Sequence, residues 1–199
     1  MHQPLHTEAL AIGGNTINVL FGNTTTNLHR VWDSSIPEKL VGGYNLSYSQ
    51  TWAKKLIKGI KNKEAQDWVR GTDLKDPIRS SLKWAGEANQ EVCNTVLRDG
   101  VAAVENKELS GKYYERAVPV VEELVSKGGV RLAAWLNLIV TGKTGFGGHW
   151  RRDLGAVEME EREAVPVEWD VEMVAENRRR RREAGWDCGC GEEHEGHAH

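Results

Sequence analysis

After a short strand-like stretch near residue 20, apolar residues recur at the three- and four-residue spacing of an α-helix. This restricts the chain to a fold made mainly by packing helices. Trp52, Leu56 and Ile60 fall at four-residue intervals, with Lys54, Lys55, Lys58 and Lys61 mostly elsewhere, so this segment reads as a surface helix over a core. Ser47 and Gln50 have the spacing of a capping box ahead of it. Asp76-Pro77 supplies a cap and a first-turn proline, and Ile78, Leu82, Ala85, Val92 and Val96 are then expected to share one broad apolar face. A third helix is predicted from about Lys112 toward Lys127, with Ala117, Val121, Leu124 and Val125 inward. Pro119 should kink that helix or mark a later start, and Gly128-Gly129 should end it. Leu132, Ala133, Trp135, Leu136 and Ile139 resume the pattern in a separate element from Val130 to Val140. That apolar run is well short of the roughly 20 residues a membrane span needs. Ile17, Val19 and Phe21, alternating with Asn18 and Leu20, predict a minor β-hairpin near residues 16–26. The expected fold class is mainly α with that one small hairpin.

The chain has 199 residues, enough for one domain with a real core. Its net charge of −3 is uneven, because residues 1–150 hold 18 Lys/Arg against 15 Asp/Glu and the rest of the chain holds 8 against 14. A mildly basic body with an acidic tail does not imply a dedicated duplex-binding surface, which needs cations clustered along one face.

His6, His29 and Asp33 have the chemistry of a catalytic zinc site, where three protein ligands of imidazole and carboxylate type leave a fourth position open. His29 and Asp33 are four apart and would lie one above the other on a helix. His6 would arrive from a segment stiffened by Pro4. Spacing of this kind more often marks a solvated surface pair, so the assignment depends on the surrounding residues. His2 and Gln3 flank the motif and suit hydrogen bonding to ligands better than ligation. Arg30 and Lys39 lie near the site in sequence, where isolated cations are usually only solvated. Gly13-Gly14-Asn15 reads as a turn before the strand.

His2-Gln3-Pro4-Leu5-His6, Gly13-Gly14-Asn15, and Asn27-Leu28-His29 with Val31-Trp32-Asp33 resemble, in order and spacing, the S1/P1 family of zinc-dependent single-strand nucleases. Ser49-Gln50-Thr51-Trp52-Ala53, Trp84-Ala85-Gly86-Glu87-Ala88-Asn89, Tyr113-Tyr114 and the stretch from Gly128 to Asn137 extend the likeness over roughly residues 1–140. The resemblance implies a phospholipase C/P1 nuclease-like helical domain with three zinc ions at the bottom of a cleft. It further implies hydrolysis of single-stranded DNA and RNA to 5'-phosphate products, with 3'-nucleotidase activity, by a secreted, monomeric class of enzyme with no membrane partner. His6, His29 and Asp33 match the ligands of the one ion that assists the leaving 3'-oxygen. Gly13 and Asn15 match part of the base pocket, where glycine permits close approach and asparagine offers both a donor and an acceptor.

The family's remaining zinc ligands match positions ahead of Met1, so the expectation is an incomplete and impaired chain. A non-catalytic remnant that binds a single zinc or a nucleotide is the alternative, and phospholipid hydrolysis is a weaker third reading. Cys93 matches half of a family disulfide whose partner is also absent, and is therefore expected to be a buried free thiol. Asn23-Thr24-Thr25 and Asn45-Leu46-Ser47 are glycosylation sequons that matter if the chain is secreted, although the sequence shows no signal peptide.

The domain is placed at residues 1–142 and a charged, disordered extension at 143–199. The run Arg178 to Arg182 reads as solvated charge, and Cys188, Cys190, His194, His197 and His199 have no closed zinc spacing. Gly142-Lys143-Thr144 is not a phosphate loop, since Asn137 stands where such a loop requires glycine.

Overall fold

The computed structural model describes residues 1–147, which form a mainly α structure with one two-stranded antiparallel hairpin. Strands β1 (Asn18–Phe21) and β2 (Thr24–Asn27) pair from Asn18 with Asn27 to Phe21 with Thr24. Gly22 and Asn23 both take positive φ at the turn, +61° and +64°, the combination that matches hairpin twist. A single side chain closes this turn from outside. The carboxylate of Glu108 accepts from the backbone N–H groups of Gly22 (3.0 Å), Asn23 (2.9 Å) and Ser110 (2.7 Å).

Helix α1 spans residues 28–41, assembled from Leu28–Arg30, a π turn at Val31–Ser35, and Ile36–Val41. Asn27 caps it by accepting from the Arg30 N–H at 2.8 Å. Helix α2 (Leu46–Gly59) is capped by Asn45, whose Oδ1 accepts from the N–H and hydroxyl of Ser47 at 2.8 and 2.9 Å. The capping box anticipated at Ser47 and Gln50 is therefore not formed. Asn45 has the extended backbone of a cap and places Ser47 inside the first turn.

Helix α3 (Asn62–Val69) had no counterpart in the sequence reading, and it buries Ala65 and Val69 against Val130, Ala134 and Phe146. Helix α4 (Pro77–Glu91) starts at the predicted Asp76 cap and continues into a second π turn at Val92–Val96. Its buried face is the predicted one only in part, since Val92 and Val96 are buried as expected. Ser80, Trp84, Ala88 and Val92 face inward, while Ile78 is 70% exposed and Leu82 67%. Burying Trp84 between small residues at 80 and 88 rotates the helix away from Ile78 and Leu82. The Ser80 hydroxyl loses nothing there, because it accepts from the Asp73 N–H and donates to the Asp76 carbonyl. Cys93, expected to be buried, lies exposed on the π turn as a free thiol.

The two helices expected on either side of Gly128-Gly129 form one helix, α5 (Lys112–Thr141), which also passes through Pro119. Pro119 sits on the solvent face, where water can satisfy the carbonyl its ring leaves without a donor. Packing on both sides of the glycines, through Leu124, Ser126, Val130, Arg131 and Ala134, overrides their weak helix propensity. Val125, Leu132, Leu136 and Ile139, read as inward, are exposed instead.

The main core joins the hairpin, α1 and the first half of α5 through Leu5, Ile17, Val19, Leu28, Val31, Trp32, Ile36, Tyr113, Ala117 and Val121. Within it, Trp32 Nε1 donates to the Tyr113 hydroxyl at 2.7 Å, and that hydroxyl donates to the Val96 carbonyl at 3.1 Å. Among the described residues, no helix is long and apolar enough to cross a membrane.

Three donated hydrogen bonds, chiefly from the N–H groups of Asn23 and Ser110, hold the Glu108 carboxyl down at about 2. Its folded value lies below its unfolded one, so the clamp is at full strength above the ordinary carboxylate range. The stabilisation fades as pH falls and is lost through about 2. An acid titration followed by the amide shift of Asn23 should show its midpoint near 2 and should flatten in Glu108→Gln. A midpoint at an ordinary glutamate value would contradict the clamp.

Candidate metal centre

His6 stands on a 3-10 turn, Pro4–Thr7, that is driven outward by burial of its neighbours Pro4 and Leu5. The turn is held at both ends. Gln3 Oε1 accepts from the His6 N–H at 3.1 Å, and the Thr7 carbonyl accepts from Asn89 of α4 at 2.8 Å. His29 and Asp33 come from α1, whose apolar residues Leu28, Val31, Trp32 and Ile36 face the core and turn the two polar ones out together. Asp33 lies in the π turn, closed by the Ile36 N–H reaching the Val31 carbonyl. Such one-turn widenings of a helix often occur at functional sites.

The three side chains converge as the sequence anticipated. His6 Nε2 lies 3.1 Å from Asp33 Oδ1, and His29 Nε2 lies 3.2 Å from Asp33 Oδ2. The imidazole rings stack with centroids 5.1 Å apart, and one donor atom from each of the three residues lies within 4.8 Å of the others. Tetrahedral zinc with ligands at about 2.0–2.1 Å separates its donors by roughly 3.3 Å, so the donor chemistry and spacing fit that ion.

One ligand has its tautomer set by the backbone. His29 Nδ1 is 2.7 Å from the Gly13 carbonyl, which can only accept, so Nδ1 carries a proton and Nε2 is the nitrogen turned toward Asp33. Metal-bound histidines commonly make this second contact to a carbonyl. Reaching His29 requires an unusual backbone, because Ala11, Ile12, Gly13 and Gly14 all take positive φ. Ile12 is costly there as a β-branched residue. Gly13 has no alternative, since a Cβ at its position would lie 2.7 Å from the Leu5 carbonyl oxygen. This glycine, read from sequence as a base-pocket candidate, is placed with its carbonyl against His29. Its turn partner Asn15 donates from Nδ2 to the Ile12 carbonyl at 2.8 Å.

Gln3 occupies the supporting position expected for it, donating from Nε2 to Asp33 Oδ1 at 2.8 Å. His2 does not share that position, and its ring turns toward Arg131. Lys39 is engaged away from the site, donating to the Ser110 carbonyl at 2.6 Å with its ammonium 4.4 Å from the Tyr114 ring centre. Arg30 is exposed. A hollow of about 420 Å³ opens beside the site between α1 and α2, lined by Asp33, Glu38, Tyr44, Leu46, Ser49 and Trp52. Periodicity could not foretell it, since the hollow depends on how α1 and α2 pack. The sequon residues Asn23 and Asn45 are exposed. Residues 148–199, with Arg178 to Arg182, Cys188, Cys190, His194, His197 and His199, lie outside the described residues.

Gly13→Ala should displace the carbonyl that orients His29 and weaken zinc binding by about ten-fold or more. Competition against a chromophoric chelator measures this. Wild-type affinity in a folded Gly13→Ala protein would contradict the role assigned to the turn.

Comparison with known proteins places this geometry in context. The family model for S1/P1 Nuclease matches residues 1–141. Nuclease S1 of Aspergillus oryzae is 48% identical over 145 residues, covering 71% of this chain and 50% of the relative. Nuclease P1 of Penicillium citrinum is 42% identical over 143 residues, covering 70% and 53%. Endonuclease 3 of Arabidopsis thaliana is 33% identical over 151 residues, covering 72% and 48%. The chain spans about half the length of the curated relatives it matches. With a family model over most of its length and His6, His29 and Asp33 gathered on one side of the hairpin core, the chain belongs to the S1/P1 nuclease family.

Proposed function

We propose that this chain serves a zinc-dependent nuclease that hydrolyses phosphodiester bonds of single-stranded DNA and RNA to 5'-phosphate products and removes phosphate from 3'-nucleotides. His6, His29 and Asp33 hold one zinc ion. The observation that carries this reading is the convergence of their donor atoms at zinc-compatible spacing, with the His29 tautomer set by Gly13. Zinc, when bound, supplies positive charge that offsets the charge developing on the phosphodiester in the transition state. The protein groups do the positioning. Gly13 keeps His29 aimed, and Gln3 holds Asp33 against rotation. The hollow beside Asp33 is of a size to take a nucleoside, and exposed Tyr44 at its rim offers a face for base stacking. Gly13 and Asn15 contribute to a base pocket from the turn behind His29.

Exposed sequons at Asn23 and Asn45 support a secreted, glycosylated monomer. At Asn45 the capping bonds use Oδ1 and leave Nδ2 for a glycan.

Among the described residues, His6, His29 and Asp33 are the one group of three donors that could hold a metal ion. That observation also favours a second reading, in which the isolated 199-residue chain holds a single zinc and turns over weakly or not at all. Elemental analysis of the purified chain should find one zinc per chain, lost in His29→Ala and Asp33→Ala. A fluorogenic single-stranded oligonucleotide assay on the same samples separates the readings. Chelator-sensitive cleavage supports the nuclease, and bound zinc without cleavage supports the remnant. A chain that binds no zinc would overturn both.

A further inference from the structure

Arg131 of α5 is the largest fully buried side chain among the described residues, with 1% of its surface exposed. A charge so deeply buried is costly unless its donors are matched by acceptors. Here each nitrogen has one. Nε donates to the Trp68 carbonyl at 3.2 Å, Nη1 reaches His2 Nε2 at 3.0 Å, and Nη2 donates to the Glu87 carboxylate. The guanidinium also lies over the Trp84 ring, 5.4 Å from its centre. The arginine thereby ties α3, α4 and α5 to the segment that precedes the 3-10 turn.

The contact to His2 is the one that leads to the metal centre. A guanidinium has no acceptor, so His2 accepts at Nε2 and carries its proton on Nδ1. Burial and the neighbouring Arg131 both favour that neutral form, lowering the His2 pKa to about 4. The ring is seated against Gly128, where a Cβ would lie 3.5 Å from it, and beside Trp84. The next residue is Gln3, which belongs to no helix or strand yet makes two bonds inside the site. Its Nε2 holds Asp33 and its Oε1 holds the His6 N–H. The aim of the Gln3 side chain therefore depends on how its backbone is fixed: its carbonyl accepts from the His6 N–H at 3.1 Å on one side, and His2 anchors the chain on the other.

We propose that Arg131 is a positioning residue for the His6–His29–Asp33 site, acting through His2 and Gln3 without touching any ligand. The proposal rests on the reading of that site as a zinc centre.

The test uses the full 199-residue chain with two variants, His2→Phe and Arg131→Met. His2→Phe keeps a ring against Gly128 and Trp84 while removing the acceptor, and it leaves the Arg131–Glu87 pair in place. Zinc affinity is read by chelator competition and site geometry by the visible absorption of the cobalt-loaded protein. Circular dichroism of the metal-free chains reports folding. Positioning predicts that His2→Phe and Arg131→Met each lower zinc affinity by about ten-fold and shift the cobalt spectrum in the same direction. The double variant should be no worse than the weaker single one, because both cut the same link. If Arg131→Met fails to fold, His2→Phe decides the matter. Folded variants that bind zinc within a factor of two of wild type, with unchanged cobalt spectra, would overturn the positioning role and leave the zinc centre standing. A wild-type chain that binds no zinc would overturn both together.

Discussion

The burial of one side of α1 is the constraint on which the rest depends. Leu28, Val31, Trp32 and Ile36 enter the main core together, and their burial leaves His29 and Asp33 facing out, one turn apart. Burying each such apolar side chain contributes on the order of 1.5–3 kcal/mol. A rotation of α1 that moved the ligands would therefore sacrifice several core contacts at once. The Trp32–Tyr113–Val96 hydrogen-bond chain adds direction to this, because an unpaired indole N–H in the core would cost about 1–3 kcal/mol. The candidate metal centre is thus built on a helix held by the core, and its geometry is a by-product of packing.

The polar groups around it are set less economically. Four consecutive residues from Ala11 to Gly14 adopt positive φ so that the Gly13 carbonyl can meet His29. A guanidinium is buried at Arg131 with a partner for each nitrogen, touching none of the three site residues but linked to Asp33 through His2 and Gln3. Strain and buried charge both oppose stability when taken alone. Each here ends on a group that orients His29 or Asp33.

The pairing of His29 with Asp33 was legible in the sequence because helical spacing and donor chemistry are local properties, while their grouping with His6 as a candidate zinc set came from the family resemblance. The hairpin and the Asp76 start of α4 were legible for the same reason. What escaped was set by contacts between distant residues. The face of α4 rotated because Trp84 packs against His2 and Trp135, partners that no periodicity around Ile78 and Leu82 reveals. Gly128-Gly129 looked like a helix end because propensity disfavours it, while the packing of Leu124, Val130 and Ala134 on either side keeps α5 continuous. Gly13 was visible as a turn residue and carried over as part of a base pocket. Its carbonyl contact to His29 depends on a chain of positive φ angles that letters alone do not encode. Cys93 was expected inside from the family resemblance, and the π turn puts it outside.

The central claim is that His6, His29 and Asp33 form the inner ligand set of a zinc ion. X-ray absorption at the zinc K edge, on the chain loaded with one equivalent, tests it directly. The account predicts a shell of nitrogen and oxygen at about 2.0–2.2 Å with the multiple-scattering signature of two imidazoles. A sulfur shell at about 2.3 Å would contradict it, since that distance belongs to cysteine ligation and no cysteine lies in the triad.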